Sequence, residues 1–577
     1  MRTTTSEQDD ASDFLKELKE MMARSFADMP TSLRRKMLEA EVRPECSIAL
    51  MRTIRAFLNF EPWALKLFDA SGKYPTGLFQ GSHADLGAFD ECLETVLHDS
   101  YGNVMARGQY CKLLVYSKNG TATESAILSV QDVLHPRIKY FSNYVTAKDY
   151  PLLRMAICFT DECNQQDFQA LVNVVKTPLV RLEVSNCVTA DPEPWTYAQI
   201  AIAIFLCVLL VVVTAATFMD YIMERMPKKK PRYSGVAKVV KAFSVTSNTR
   251  ALLRVADKSN PDHYALQFLH GMRFLCIGHI VSCHCGQTIS DSWSRFLNLL
   301  IASEEWPYML LSAGFSSVDT FFFQSGFFLC LSVSRQKNSG PLAFVIGVVR
   351  RYISVMDVTM NEYYVRPYYH AICYFSGCIT CLLIDDFRNR KISKASQIAG
   401  WCISFSCGLC CVFMKLSWYR SQTPPTEAAK LLAAFFDRIL WSVFLIWVTL
   451  ACSTGRGGFV NKLLSWNVFV APSKLSFGVY LIHMPFIRLS LQASRERLFW
   501  STFNVASMYF SVLAWSYVLA YFTYLVCEAP TTVLDKLAFA RITQSRQSVH
   551  KQNSKPQLNG IDVKQREKAA DGVFSRL

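Results

Sequence analysis

Beyond about residue 195 this sequence almost lacks amphipathic spacing. Its apolar residues, 51% of 577, come in blocks rather than on one face of a helix. That excludes a soluble enzyme for most of the chain. Charge is also thin, at 19% of residues. No serine sits in a nucleophile elbow, no histidine–carboxylate cluster has zinc spacing, and no GK[ST] follows the glycine-rich turn CSTGRGG. Covalent serine catalysis, metal hydrolysis and a P-loop are thereby set aside, and no metal site is predicted. The opening MRTTTSEQDDASDFLKELKEMM has no apolar core of the kind a signal peptide needs, so export of the N-terminal region implies either a start upstream of Met1, the favoured reading, or a first span that exports its own N-terminal side.

The apolar blocks form a series of runs of roughly 18 or more residues, each able to cross a hydrocarbon layer of about 30 Å. Spans are predicted at Thr196–Met219, Ala265–Gln287, Met309–Val333, Pro367–Ile384, Ala395–Leu416, Leu431–Cys452, Leu475–Leu491 and Phe503–Cys527. Leu342–Met360, which carries two arginines, is either a short span or an interfacial helix, and sidedness is consistent only if it crosses. The net charge of +15, from 61 basic and 46 acidic residues, belongs to loops beside these spans, as in ERMPKKKPRYSG and DDFRNRKISK. The positive-inside rule accounts for it, and no nucleic-acid partner is expected. The N-terminal domain then lies outside, in the extracellular space or a lumen, and the C-terminus in the cytosol.

Residues 1–195 have a globular composition. Cys46, Cys92, Cys111, Cys158, Cys163 and Cys187 form an even set that suggests three disulfides in an oxidising compartment, with connectivity open. Asn119 begins a glycosylation sequon on the same side. The pattern reads as mainly helical, interrupted by an ordered glycine-rich loop, FDASGKYPTGLFQGSHADLGAFDEC. The predicted fold class is an all-α polytopic membrane protein of about nine transmembrane helices, with an N-terminal, mainly helical, disulfide-rich extracytosolic domain.

The chemistry centres on the second span. Arg273 and His284 stand eleven residues apart in LQFLHGMRFLCIGHIVSCHC. Eleven helical steps bring both to nearly one face, roughly 16 Å apart along the axis. Ionisable groups at that depth are retained against a desolvation cost and so are candidate functional groups. His284 is either a hydrogen-bonded buried histidine or a general base that deprotonates a hydroxyl for attack on an acyl group. Arg273 either snorkels to the cytosolic interface or pairs with the phosphates of an acyl donor. His279 faces elsewhere and reads as packing. Asp319, in SSVDTFFFQSGFF, needs a partner, for which Arg273 or a histidine is suitable. His483 precedes Met-Pro, so a kink and a supporting role compete.

These motifs together resemble one family. FDASGKYPTGLFQG, GAFDEC, GQYC and CFTDEC, then FLHGMRFLCIGHIVSCH, SSVDTFFFQSG, CSTGRGGFVNKLLSW, LSFGVYLIH and CEAP, are similar to the nose-resistant-to-fluoxetine proteins, in which a cysteine-rich domain precedes an acyltransferase-3 membrane domain. The resemblance covers about residues 46–540. It implies that His284 and Arg273 are the essential histidine and arginine of an acyltransferase, with acyl-CoA as donor approached from the cytosol. It also places Asp319, Gly326 and His483 in matching motifs. Two departures stand out: the segment near 351–362 is shorter than in the family, and Cys283 replaces the usual glycine before the histidine.

The implied organisation is a nose-resistant-to-fluoxetine-type domain over 1–195, a first span at 196–219, a basic cytosolic linker at 220–264, an acyltransferase-3-like unit at 265–530 and a disordered basic cytosolic tail at 531–577. The implied function is transfer of an acyl group to a hydroxyl of a lipid, sterol or glycan. The alternative is an inactive member that carries lipids or small molecules across or into a membrane. Membrane lipid is the expected partner in either case, and the housing membrane is the plasma membrane or the endoplasmic reticulum.

Overall fold

A computed structural model describes residues 39–117, 151–174, 180–225, 235–335 and 370–535, apart from breaks of one to four residues, with scattered positions before them. Asn119, the segment Leu342–Met360 and residues 536–577 lie outside the described residues. The chain forms two compact units.

The first unit comprises residues 1–194 with the loops Ile289–Glu304 and Leu489–Asn504. Its centre is a mixed sheet, which corrects the expectation of a mainly helical domain. The long strand β3 (Val104–Ser117) pairs antiparallel with β2 (Val96–His98), β4 (Leu153–Thr160) and β5 (Val180–Thr189), and β1 (Ala84–Asp85) runs parallel to β4. The period-2 signal is weak because the buried positions of β4 are Ala156, Cys158 and Thr160. Burial alternates along that strand while hydropathy does not.

Two helical layers cover the sheet. On one face α2 (Pro62–Ala70) and α3 (Phe89–Glu94) bury Leu67, Ala70 and Cys92 against Tyr110, Ala156 and Cys158. On the other, α1 (Pro44–Leu58) and α4 (Gln165–Val174) bury Cys46 and Phe168 against Cys111 and Val184. The six cysteines close three disulfides, Cys46–Cys163, Cys92–Cys158 and Cys111–Cys187. The first joins α1 to the turn after β4, the second α3 to β4 and the third β3 to β5, as the even cysteine set suggested. The glycine-rich loop is ordered for a steric reason. Gly87 has a φ of 55°, and a Cβ there would lie 2.0 Å from the Ala70 carbonyl. In the same unit Trp293–Ser294 pairs parallel with Leu498–Phe499.

The second unit is helical. Among the described residues four helices are long and apolar enough to cross a membrane: α5 (Tyr197–Arg225), Lys394–Arg420 beginning with α11 (Lys394–Phe413), α12 (Glu427–Ser453) and Thr502–Asp535 beginning with α14 (Thr502–Thr523). Four more helices fall at predicted spans: α8 (Phe268–Gln287), α9 (Gly314–Arg335), α10 (Ala371–Asn389) and α13 (Ser476–Gln492). These four carry the polar side chains of the candidate site, and α13 holds Pro485 within it. In the last turns of α5, Asp220 accepts hydrogen bonds from Ser244 and Ser247, both 2.6 Å, docking the linker helices α6 (Gly235–Phe243) and α7 (Val245–Leu253).

The core of this unit joins α8, α9, α10 and α12 through Phe268, Met272, Phe323, Phe327, Cys373 and Leu445. Helices α9 and α10 approach closely because each offers a glycine. A Cβ on Gly326 would meet the Tyr374 carbonyl at 2.0 Å, and one on Gly377 the Phe323 carbonyl at 2.0 Å. Small residues at such a crossing let the two backbones come into van der Waals contact.

Candidate functional site

Helix α8 supplies the site its axis. Arg273 and His284 fall about 20° apart around that helix by its geometry. Their partners come from two different helices, α9 and α13, which therefore flank the same stripe.

At the first end, Arg273 donates from Nε to Gln324 Oε1 at 2.8 Å, and its guanidinium lies 5.0 Å from the centre of the Phe328 ring. Both partners belong to α9. Gln324 is fully buried, and its amide nitrogen has no hydrogen-bond partner among the described residues. A buried amide donor beside a guanidinium makes a patch that favours an anion. The guanidinium thus packs against α9.

At the second end, His284 Nδ1 lies 2.8 Å from His483 Nε2, with the two rings nearly coplanar in orientation at 5°. His483 Nδ1 lies 3.0 Å from the Val479 carbonyl. A carbonyl oxygen only accepts, so His483 Nδ1 carries the proton. In neutral His483 the Nε2 is then an acceptor, and His284 Nδ1 must donate to it. The remaining ring nitrogen, His284 Nε2, is left with its lone pair exposed to take a proton. Thus a backbone carbonyl of α13 sets, through one imidazole, the tautomer of the next. His483 is completely buried and His284 only partly so, which suits an orienting group behind a reacting one.

The other predicted groups separate from this stripe. Asp319 finds a histidine partner rather than Arg273: His370 Nδ1 is 2.5 Å from its Oδ1, with both residues buried and the His370 ring stacked on Phe322 at 4.5 Å. That pair ties α9 to the start of α10. His279 is satisfied on both nitrogens, by Ser317 Oγ at 2.9 Å and the Leu310 carbonyl at 2.6 Å, as a packing histidine should be. His270 bonds Ser473 Oγ at 2.5 Å. At the glycine-rich turn the arginine engages backbone. Arg456 donates to the carbonyls of Phe387 at 2.7 Å and Arg390 at 2.8 Å, capping α10, while Gly455 and Gly458 adopt positive φ. Cys283 is accommodated from across the contact, since a Cβ on Gly314 would lie 2.6 Å from the Cys283 Cβ.

Gln324 and His370 escaped the sequence reasoning. Gln324 had a signal, being an uncharged polar residue in an apolar helix five positions after Asp319. His370 had none, because its role depends on which helix Asp319 faces.

Comparison with known proteins bears on the first unit most directly. A family model described as "Nose resistant-to-fluoxetine protein, N-terminal domain" matches residues 46–172. The chain is also similar to "Nose resistant to fluoxetine protein 6" of Caenorhabditis elegans, 29% identical over 229 residues, or 38% of this chain. That match spans about a quarter, 26%, of the relative's length. No solved structure matches. Strands β1 to β4, the disulfides Cys46–Cys163 and Cys92–Cys158 and the glycine-rich loop thus lie in a stretch similar to the N-terminal domain of nose-resistant-to-fluoxetine proteins.

Proposed function

We propose that the membrane unit is an acyltransferase-3-type O-acyltransferase, moving an acyl group from a cytosolic donor, acyl-CoA, to a hydroxyl of a lipid, sterol or glycan. In this reading Arg273, held by Gln324, pairs with the donor's phosphates, because a guanidinium matches phosphate oxygens in bidentate fashion. His284 Nε2 takes the acceptor's proton as that oxygen bonds to the thioester carbonyl carbon. The carbon–sulfur bond breaks, and His284 returns the proton to the departing thiolate. His483 holds His284 in the productive tautomer and accepts from the imidazolium's other N–H. A base so placed contributes about 10²–10⁴-fold. The roughly 16 Å between Arg273 and His284 along α8 suits a donor whose thioester stands at the end of a long arm away from its phosphates.

The observation that carries the reading is the 2.8 Å contact between His284 Nδ1 and His483 Nε2, anchored on the Val479 carbonyl. The accompanying topology is about nine spans, with the disulfide domain extracellular or lumenal, its two partner loops on that same side, and the C-terminus cytosolic. The housing membrane is the plasma membrane or the endoplasmic reticulum. A second reading, uptake of lipid or small molecules without turnover, is favoured by one observation: Arg273 is already engaged by Gln324 and Phe328 within the protein.

The test is transfer of radiolabelled acyl groups by purified protein, wild type beside His284→Ala. Label should enter a lipid, sterol or glycan fraction with wild type and not with the variant. Incorporation indifferent to the substitution overturns the catalytic reading. Binding of acyl-CoA without any transfer by wild type supports uptake instead.

A further inference from the structure

We propose that Cys330 and Cys381 are a redox modification site: oxidised by a peroxide, they form a reversible disulfide that clamps α9 to α10. The two glycines at the helix crossing set the pair. Contacts between α9 and α10 join residues 48 to 54 positions apart: Asp319 to His370, Gly326 to Tyr374 and Cys378, and Gly377 to Phe323 and Phe327. Partner numbers rise together along both helices, so α9 and α10 run parallel and position 330 falls opposite 378–384. Cys330 stands four residues beyond Gly326, and Cys381 four beyond Gly377. A step of four keeps a side chain on one helix face, so both sulfurs project into the crossing one turn past the glycines. There Cys381 interacts directly with the Cys330 thiol, and beyond it with Cys378 and Asp385.

The neighbouring thiols of α10 have other partners. Cys378 donates to the Gly326 carbonyl at 3.3 Å, and Cys373 accepts from Ser442 of α12 at 3.2 Å. Cys330 meets Ser334 Oγ on its own helix only at 4.0 Å. Cys330 and Cys381 are both partly exposed while Cys373 is buried, so an oxidant and then a reductant can reach the pair. Hydrogen peroxide oxidises one thiol to a sulfenic acid with release of one water. The second sulfur displaces the hydroxyl, the S–S bond forms, and the two thiol protons leave in the two waters. On the sidedness proposed above, both helices end a few residues later at the cytosolic face. In that reducing compartment the pair rests as thiols, and the disulfide is transient. Gln324 and Phe328, which hold Arg273, belong to the same stretch of α9, so the clamp fixes the helix that positions that arginine. Formation of the bond does not depend on whether the unit transfers acyl groups.

The experiment treats the full-length protein in detergent with hydrogen peroxide and blocks the remaining thiols with N-ethylmaleimide. Disulfide-linked peptides are then mapped by mass spectrometry, with and without later dithiothreitol. A peptide joining Cys330 to Cys381 should appear and be reversed by dithiothreitol. It should be absent from Cys330→Ser and Cys381→Ser and kept in Cys378→Ser. Oxidised wild type should melt several degrees higher than reduced wild type, because closing a loop of about 50 residues removes entropy from the unfolded chain. Cys330→Ser should show no such rise. Recovery of both thiols as maleimide adducts or as sulfinic acids, or a bond from Cys330 to Cys378 instead, overturns the pairing. A Cys330–Cys381 bond that leaves the melting temperature unchanged overturns the clamp.

Discussion

Replacing Asp167 by alanine should open one corner of the disulfide-bonded domain and leave the rest closed. Asp167 stands at the start of α4 with a side chain only 4% exposed. It accepts from the Arg43 backbone N–H at 3.1 Å, from Arg43 Nε at 3.0 Å and Nη2 at 2.8 Å, and from the Asn164 N–H at 2.9 Å. Asn164 Oδ1 accepts in return from the Asp167 N–H at 2.9 Å, a reciprocal cap on α4. Arg43 immediately precedes α1, so one carboxylate joins the first turns of two helices far apart in sequence. Removing one member of a buried pair costs about 3–5 kcal/mol. Arg43 is 47% exposed and recovers water, which reduces the figure to about 2–3 kcal/mol. Hydrogen exchange read by mass spectrometry should show protection of peptides from α1 and α4 falling roughly 30- to 150-fold, with β3 unchanged. Because Cys46–Cys163 spans the same corner, the loss should grow when that disulfide is reduced.

The same carboxylate gives a pH dependence of defined sign. Burial alone would raise the pKa of Asp167, but hydrogen bonds from the Arg43 side chain and from the Asn164 and Arg43 backbone outweigh it and hold it below the usual carboxylate value. Its folded value is therefore lower than its unfolded value of about 3.9. The stabilisation is present above the unfolded value and is lost as pH falls through the folded one. Wild type and Asp167→Ala should differ at neutral pH and converge below about pH 4. Equal protection in both proteins at neutral pH would refute the role assigned to Asp167.

Gly326→Val should force α9 and α10 apart at the Tyr374 carbonyl and destabilise the membrane unit by about 1–3 kcal/mol or more, read as a lower melting temperature in detergent. His370→Ala should leave Asp319 buried without its histidine and cost about 3–5 kcal/mol, whereas His370→Leu combined with Asp319→Leu should cost less; thermal unfolding of the two variants compares them. Arg456→Ala should uncap α10 and raise exchange at residues 384–390 by an amount worth about 1–3 kcal/mol, read by hydrogen exchange and mass spectrometry.

Much of the membrane unit is legible in sequence because lipid imposes a length and a composition on every crossing. Eight of the predicted spans fall on helices, and four of those helices are long and apolar enough to cross a membrane among the described residues. The disulfide set is legible for a different reason, since six cysteines in a polar domain have few other uses. The sheet was hidden because the inward positions of β4 are alanine, cysteine and threonine, whose pattern of size says nothing about hydropathy. Local periodicity also cannot reveal that β3 pairs with a strand whose partner residue for Cys111 is Ile157. At the site, spacing along α8 placed Arg273 and His284 on a common stripe. It could not say that α9 answers one and α13 the other, because helix neighbours are set by packing rather than by sequence order. The Asp319 pairing with His370 is the same kind of fact.

The most direct measurement is a double-mutant cycle on acyl transfer, comparing His284→Ala, His483→Ala and the double variant with wild type. Histidines acting in series through Nδ1 and Nε2 predict strong non-additivity, with the double variant no slower than His284→Ala alone. Independent, additive losses would contradict the relay, as would full transfer by His284→Ala.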